Sequence, residues 1–178
     1  ILFNFLKINF IKILRHKHKI LEKTIYKSCL IKKRIVEKDE KEKNIRKVLN
    51  LGHTFAHAYE ATIGYNKGLN HGEAVLLGIM SAVEFSHQRN ILKKNDYKQI
   101  NDHLKKLNYY NLKRYFSSKD VSKIIFYMKQ DKKNKDSKIN LILLKGIAKP
   151  ILKKSFGENK IRSFFIYNLK MIVLKKII

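Results

Sequence analysis

Apolar residues at Phe3, Leu6, Phe10, Ile13 and Leu14, then at Ile20, Leu21, Ile25, Leu30 and Ile31, recur at helical spacing, which predicts helix over residues 1–36. Residues 37–44, Glu-Lys-Asp-Glu-Lys-Glu-Lys-Asn, hold no apolar position and read as a charged, solvated connector. A second helix is predicted from Arg46 to about Thr62, and its polar residues gather on one side. At about 100° per residue, Arg46, Asn50, His53, His57 and Glu60 fall at about 0°, 40°, 340°, 20° and 320°. Of the strongly polar residues here only Lys47 lies off this stripe, while Val48, Leu51, Phe55 and Ala58 lie opposite, on the side that belongs to a core. Gly52 within this pattern costs about 1 kcal/mol relative to Ala and marks a close backbone approach, to a metal or to a neighbouring helix.

Gly64 to Gly68 read as a loop. Asn70 followed three residues later by Glu73 is a capping box that starts a helix running to about Arg89. Ala74, Gly78 and Ala82 make a ridge of small residues along it, suited to tight helix packing. His71 stands at its first turn, beside backbone N–H groups, whereas His87 at the far end is expected to be exposed. Further helices are predicted at 95–108, where His103 has no site-like neighbours, and at 118–129. Asp131 to Ser137 reads as a polar turn and Ile139 to Leu144 as a short apolar strand that Gly146 to Pro150 breaks. The fold class is mainly α and multi-helical. No Gly-rich strand-to-helix turn suited to a dinucleotide pyrophosphate is present.

A polar stripe carrying two histidines at i, i+4 together with Arg and Asn, with a third histidine opening the next helix, needs partners once both faces of the helix are covered. A substrate, a metal or both would supply them. A single such histidine would be an ordinary structural or solvated residue; the combination argues for a site.

Composition alters this picture little. The 178 residues and 44% hydrophobic content suffice for a domain with a core. One cysteine, Cys29, excludes an internal disulfide, fits a reducing cytoplasm and reads as a small core residue. The formal charge of +26 raises nucleic acid or an anionic membrane as partners. The lysines are spread along the whole chain, however, and no nucleic-acid-binding module is recognisable. The excess of Lys, Ile and Asn fits an AT-rich coding sequence. Residues 1–14 and 164–178 are interrupted by lysines and fall short of the roughly 18 apolar residues of a membrane span. The chain opens on Ile rather than Met, which reads as a piece of a longer polypeptide.

The stretch Leu49-Asn50-Leu-Gly-His53-Thr-Phe-Ala-His57-Ala-Tyr-Glu60, then Gly64-Tyr65, then His71-Gly72-Glu73-Ala-Val with Gly78-Ile-Met, resembles the signature of the 3-dehydroquinate synthase family. The likeness extends upstream through Lys32, Asp39-Glu40 and Glu42 to Arg46, and downstream to Asp131-Lys132-Lys133. It implies the C-terminal, metal-binding half of that fold over residues 1–160, without the N-terminal α/β NAD-binding domain, and leaves 161–178 as an unassigned tail.

The resemblance implies His53 and His71 as ligands of Zn²⁺ or Co²⁺, with a third ligand, a glutamate, upstream of this chain. Catalytic zinc uses three protein ligands and keeps a position open. It implies NAD⁺ held mainly by the missing domain, a homodimer in the full enzyme, and a sugar-acid phosphate as substrate. The implied reaction cyclises 3-deoxy-D-arabino-heptulosonate 7-phosphate to 3-dehydroquinate with loss of phosphate, in the shikimate pathway. Lys32, Arg46, Asn50 and His57 match substrate-contacting positions, Glu42 a site-lining carboxylate, and Lys132 a C-terminal lysine for which Lys133 competes. Arg and Lys suit carboxylate and phosphate groups, and an imidazole such as that of His57 can take and return a proton. Departures from the pattern are Ala56 and Ala148 at positions where glycine is usual, and an interval from His57 to His71 that is long by one residue, with Asn70 the candidate insertion. Two other readings compete: another sugar-phosphate cyclase of the superfamily, and a non-catalytic basic remnant that binds nucleic acid.

Overall fold

The computed structural model describes residues 2–64, 68–106, 111–131 and 138–170. The chain divides into two compact units, Ile1–Leu49 and Asn50–Ile178.

In the first unit the expected continuous helix is two, α1 (Leu2–Leu14) and α2 (His18–Lys38), which pack on each other. The break falls at His16, whose φ of 50° places it in the left-handed region that a helix cannot pass through. The Nζ atoms of Lys23 and Lys27 of α2 each lie 5.7 Å from the centre of the Phe5 ring on α1, within cation–π reach. No residue of α2 is buried, and Cys29 is exposed, which corrects its reading as a core residue.

The charged connector is organised rather than loose. One Asp39 carboxylate oxygen accepts the Lys43 backbone N–H at 2.9 Å, and the other accepts those of Asn44 at 2.6 Å and Arg46 at 3.0 Å. Burial pushes this carboxyl up, but the N–H donors of Arg46, Asn44 and Lys43 with the Lys47 charge outweigh it and hold Asp39 below the usual carboxylate range.

The second unit is built around α3 (His53–Ile63), which packs on α4 (His71–Gln88) and α7 (Val121–Gln130). Around them lie α5 (Lys94–Lys105), the short α6 (Leu112–Tyr115), the hairpin of β1 (Ile139–Gly146) and β2 (Lys149–Phe156), and α8 (Glu158–Lys170). One core joins them, with Phe55 and Tyr59 of α3, Leu77 and Phe85 of α4, Ile124 and Met128 of α7, Leu141 of β1 and Phe164 and Phe165 of α8. Burial of Phe55 and Ala58 is as the polar-stripe pattern requires.

The predicted helix over Arg46–Thr62 is corrected. Residues Ile45–Asn50 form a 3-10 turn, and Gly52, at φ 83°, breaks the register before α3 begins at His53. Arg46 and Asn50 therefore do not share the α3 stripe, whereas His53, His57 and Glu60 do. Gly52 marks an approach to a neighbouring helix: a Cβ there would lie 2.5 Å from the Ile79 nitrogen and 2.6 Å from the Gly78 carbonyl carbon. A Cβ on Gly78 would in turn meet the Gly52 oxygen at 2.3 Å. The small-residue ridge of α4 thus lets two backbones touch, with Ala56 fully buried beside it.

β1 runs two residues past the predicted strand and pairs antiparallel with β2, which the sequence reading did not expect. Leu144 lies opposite Pro150, which has no N–H to donate back, and the Leu144 N–H donates to the buried Ser86 hydroxyl of α4 at 3.1 Å. Ala148 in the turn has φ 56°, the left-handed geometry that favours glycine there. The segment after residue 160 buries Ile161, Phe164 and Phe165. His87 is corrected from exposed to half-buried: its ring stacks on Tyr97 at 4.0 Å and its Nδ1 lies 3.3 Å from the Leu92 carbonyl. Most of the predicted turn at 131–137, with Lys132 and Lys133, lies outside the described residues. Among the described residues no helix is long and apolar enough to cross a membrane.

Candidate functional site

Three histidines come together in the second unit. His53 and His57 sit one turn apart on α3, and His71 is the first residue of α4. Their ring centres are 5.6 Å apart for His53–His57, 6.0 Å for His53–His71 and 6.4 Å for His57–His71. The chain places them so because the two helices are fixed at two points near these ends. Gly52, immediately before His53, rests on the backbone of α4. Asn70 accepts the Glu73 N–H at 3.0 Å while Glu73 accepts the Asn70 N–H at 3.0 Å, so the capping box read from the sequence closes the first turn of α4 and holds His71 in place. At the other end of α3, Lys123 donates to the Thr62 carbonyl at 2.8 Å, a cation on the terminal carbonyls.

His53 is half-buried, and His57 and His71 are exposed. Beside them Glu60, on the last turn of α3 and with only 11% of its side chain exposed, places Oε1 3.0 Å from His71 Nδ1. Glu60 belongs to the polar stripe, yet the sequence reading gave it no role. Its signal was the spacing, three residues after His57 and seven after His53, which keeps all three on one helical face.

The other expected residues are placed as follows. Asn50 is half-buried at the end of the 3-10 turn that precedes Gly52. In the first unit, Lys32 is exposed on α2 and Glu42 has a left-handed φ of 53°. Arg46 donates from Nη1 to the Glu40 carbonyl at 2.5 Å.

Two imidazoles sharing one tetrahedral Zn²⁺ with Zn–N bonds of about 2.1 Å have ring centres roughly 5–6 Å apart. The 5.6 Å between His53 and His57 and the 6.0 Å between His53 and His71 both meet this condition. With Nδ1 of His71 facing a carboxylate, Nε2 is the nitrogen left to a metal. Among the described residues no three His, Cys, Asp or Glu side chains converge to hold an ion.

Residues 1–134 match the family model described as 3-dehydroquinate synthase C-terminal. The chain is 48% identical over 163 residues to the 3-dehydroquinate synthase of Pelagibacter ubique (strain HTCC1062), covering 91% of this chain and 44% of that protein. It is 41% identical over 155 residues to that of Endomicrobium trichonymphae, covering 80% of this chain and 42% of the relative. It therefore spans less than half the length of these relatives. Among solved structures it is similar to 2-deoxy-scyllo-inosose synthase complexed with carbaglucose-6-phosphate, NAD+ and Co2+, with a TM-score of 0.68, 25% identity, and 82% of this chain and 40% of that one covered. It shares its fold with 2-epi-5-epi-valiolone synthase from Streptomyces hygroscopicus, solved with NAD+ and Zn2+ bound, at a TM-score of 0.78 and 16% identity over 95% of this chain and 46% of that one. Family model and relatives agree: the chain belongs to the 3-dehydroquinate synthase family and corresponds to its C-terminal domain.

Proposed function

We propose that this chain supplies the metal-ligand and proton-transfer half of a 3-dehydroquinate synthase, a lyase that cyclises 3-deoxy-D-arabino-heptulosonate 7-phosphate to 3-dehydroquinate and releases phosphate. The observation that carries this reading is the His53–His57–His71 cluster at the facing ends of α3 and α4. His53 and His71 would hold Zn²⁺ or Co²⁺ together with a carboxylate from elsewhere in the full enzyme. When bound, the metal would polarise the substrate hydroxyl that NAD⁺ oxidises, the NAD⁺ being held mainly by an N-terminal domain.

The chain's own residues do the rest. His57, exposed and one turn from His53, takes and returns the proton of a substrate hydroxyl, work for which an imidazole is suited near neutral pH. Asn50 orients the substrate through its amide. Arg46 and Lys32 meet its anionic groups, Arg as a planar fork and Lys as a point charge, and Glu42 and Lys132 complete the set. A reducing cytoplasm, homodimeric assembly and a place in aromatic biosynthesis through the shikimate pathway belong to the same proposal.

The test is phosphate release from the heptulosonate 7-phosphate by this chain joined to the NAD-binding half. His57→Ala should lower kcat by about 10²–10⁴-fold, the range of a general acid–base, while the protein still folds and binds Co²⁺. Turnover only of a heptulose phosphate lacking the carboxylate would establish instead a different sugar-phosphate cyclase, the reading that likeness to 2-deoxy-scyllo-inosose synthase favours.

A further inference from the structure

We infer that Glu60 is a positioning residue for the metal centre: its carboxylate accepts a hydrogen bond from Nδ1–H of His71, fixes the imidazole as the Nδ1–H tautomer, and so turns an unprotonated Nε2 toward a divalent cation. The inference rests on the metal-centre reading and extends it to a side chain that no metal touches.

Four observations lead there. Glu60 Oε1 stands 3.0 Å from His71 Nδ1, a full hydrogen bond. The pair is asymmetric in burial, with 11% of the Glu60 side chain exposed against 63% of that of His71. The acceptor is thus the enclosed partner and the histidine the solvent-exposed one. His71 is the first residue of α4, and its carboxylate contact comes from another helix, α3. Glu60 lies on the α3 face that carries His53 and His57, and the backbone contact of Gly52 with Gly78 fixes that face relative to α4.

An imidazole ligand presents one nitrogen, and a metal accepts it only when that nitrogen carries no proton. In a neutral imidazole the two nitrogens are alternatives, so a carboxylate that retains the proton on Nδ1 frees Nε2, raises its basicity and removes a rotational degree of freedom before the ion arrives. Loss of such outer partners costs about 10- to 100-fold in metal affinity. The contact joins two side chains of this chain, so it can orient the ring without the ion.

Two measurements on the chain test this. Long-range ¹H–¹⁵N correlation of the metal-free protein reads which nitrogen of His71 is protonated, and titration with Co²⁺ reads affinity. The wild-type chain should show Nδ1–H at His71. Glu60→Ala should shift the ring toward the Nε2–H form and weaken Co²⁺ about 10- to 100-fold. Glu60→Gln, which keeps an acceptor oxygen in place and preserves the packing, should recover much of both, a pattern that general destabilisation would not produce. An Nε2–H tautomer in the wild-type chain, or Co²⁺ affinity in Glu60→Ala within about twofold of wild type while His71→Ala still abolishes binding, would overturn this inference alone. Co²⁺ binding that survives His71→Ala would overturn the metal reading and the inference with it.

Discussion

The two glycines at the crossing of α3 and α4 act differently although they touch. Gly52 combines a φ of 83° with a would-be Cβ 2.5 Å from backbone, whereas Gly78 is helical and faces the overlap alone. Gly68 has a φ of 88° and open space around it. Alanine at Gly68 should therefore cost only backbone strain, about 1–2 kcal/mol. At Gly78 it should cost about 1–3 kcal/mol of overpacking. Gly52→Ala should exceed both, because strain and overlap add. Thermal unfolding of the three variants checks this order, and a mild Gly52→Ala would show that the crossing yields. Ala148, at φ 56°, shows the same steric rule from the other side, since there a side chain already occupies a left-handed turn.

Among the elements, the β hairpin packs on α4 through the shared core and is hydrogen-bonded to it by a buried hydroxyl. Ser86 donates to the Ala82 carbonyl at 2.6 Å and accepts the Leu144 N–H at 3.1 Å. Ser86→Ala should leave that N–H buried without an acceptor and destabilise the second unit by about 1–3 kcal/mol, with faster amide exchange at Leu144 as the specific sign. How much of the architecture was legible depended on how local its cause was. The start of α4 was readable because Asn70 and Glu73 carry the whole capping device, and β1 because its core face is apolar. The two-helix break at His16 and the 3-10 turn at 45–50 were not, because a left-handed residue and Gly52 end a helix without disturbing the apolar spacing. β2 escaped because Lys149, Lys153 and Lys154 face water on a two-stranded ribbon, and α8 because Phe164 and Phe165 find partners only after the chain returns to α3. Of the site, the histidines were legible as a pattern and the Glu60–His71 contact was not, since it joins residues on separate elements.

Over the whole molecule, acid acts on both units through carboxylates held below their usual range. Asp39 is so held in the first unit by backbone N–H groups against its burial. In the second, Glu158 of α8 is so held by hydrogen bonds from Lys129 of α7 and from Arg162. In both, the folded state binds the proton more weakly than the unfolded chain. The stability they contribute is complete above the unfolded carboxylate pKa, near 4, and is lost as pH falls through the lower folded values. Carboxyl ¹³C titration should show both groups ionising below that point, and circular dichroism should show loosening only on the acid side; midpoints at the unfolded values would refute the assignment. Added salt should weaken the exposed Glu158 pairs while relieving the repulsion of a +26 chain. A surface so rich in lysine can change residue by residue with little effect on the histidines. The crossing of α3 and α4 that sets their spacing is main chain resting on main chain at Gly52 and Gly78, a contact with no side chain to replace, so drift in the lysine-rich surface leaves that crossing untouched.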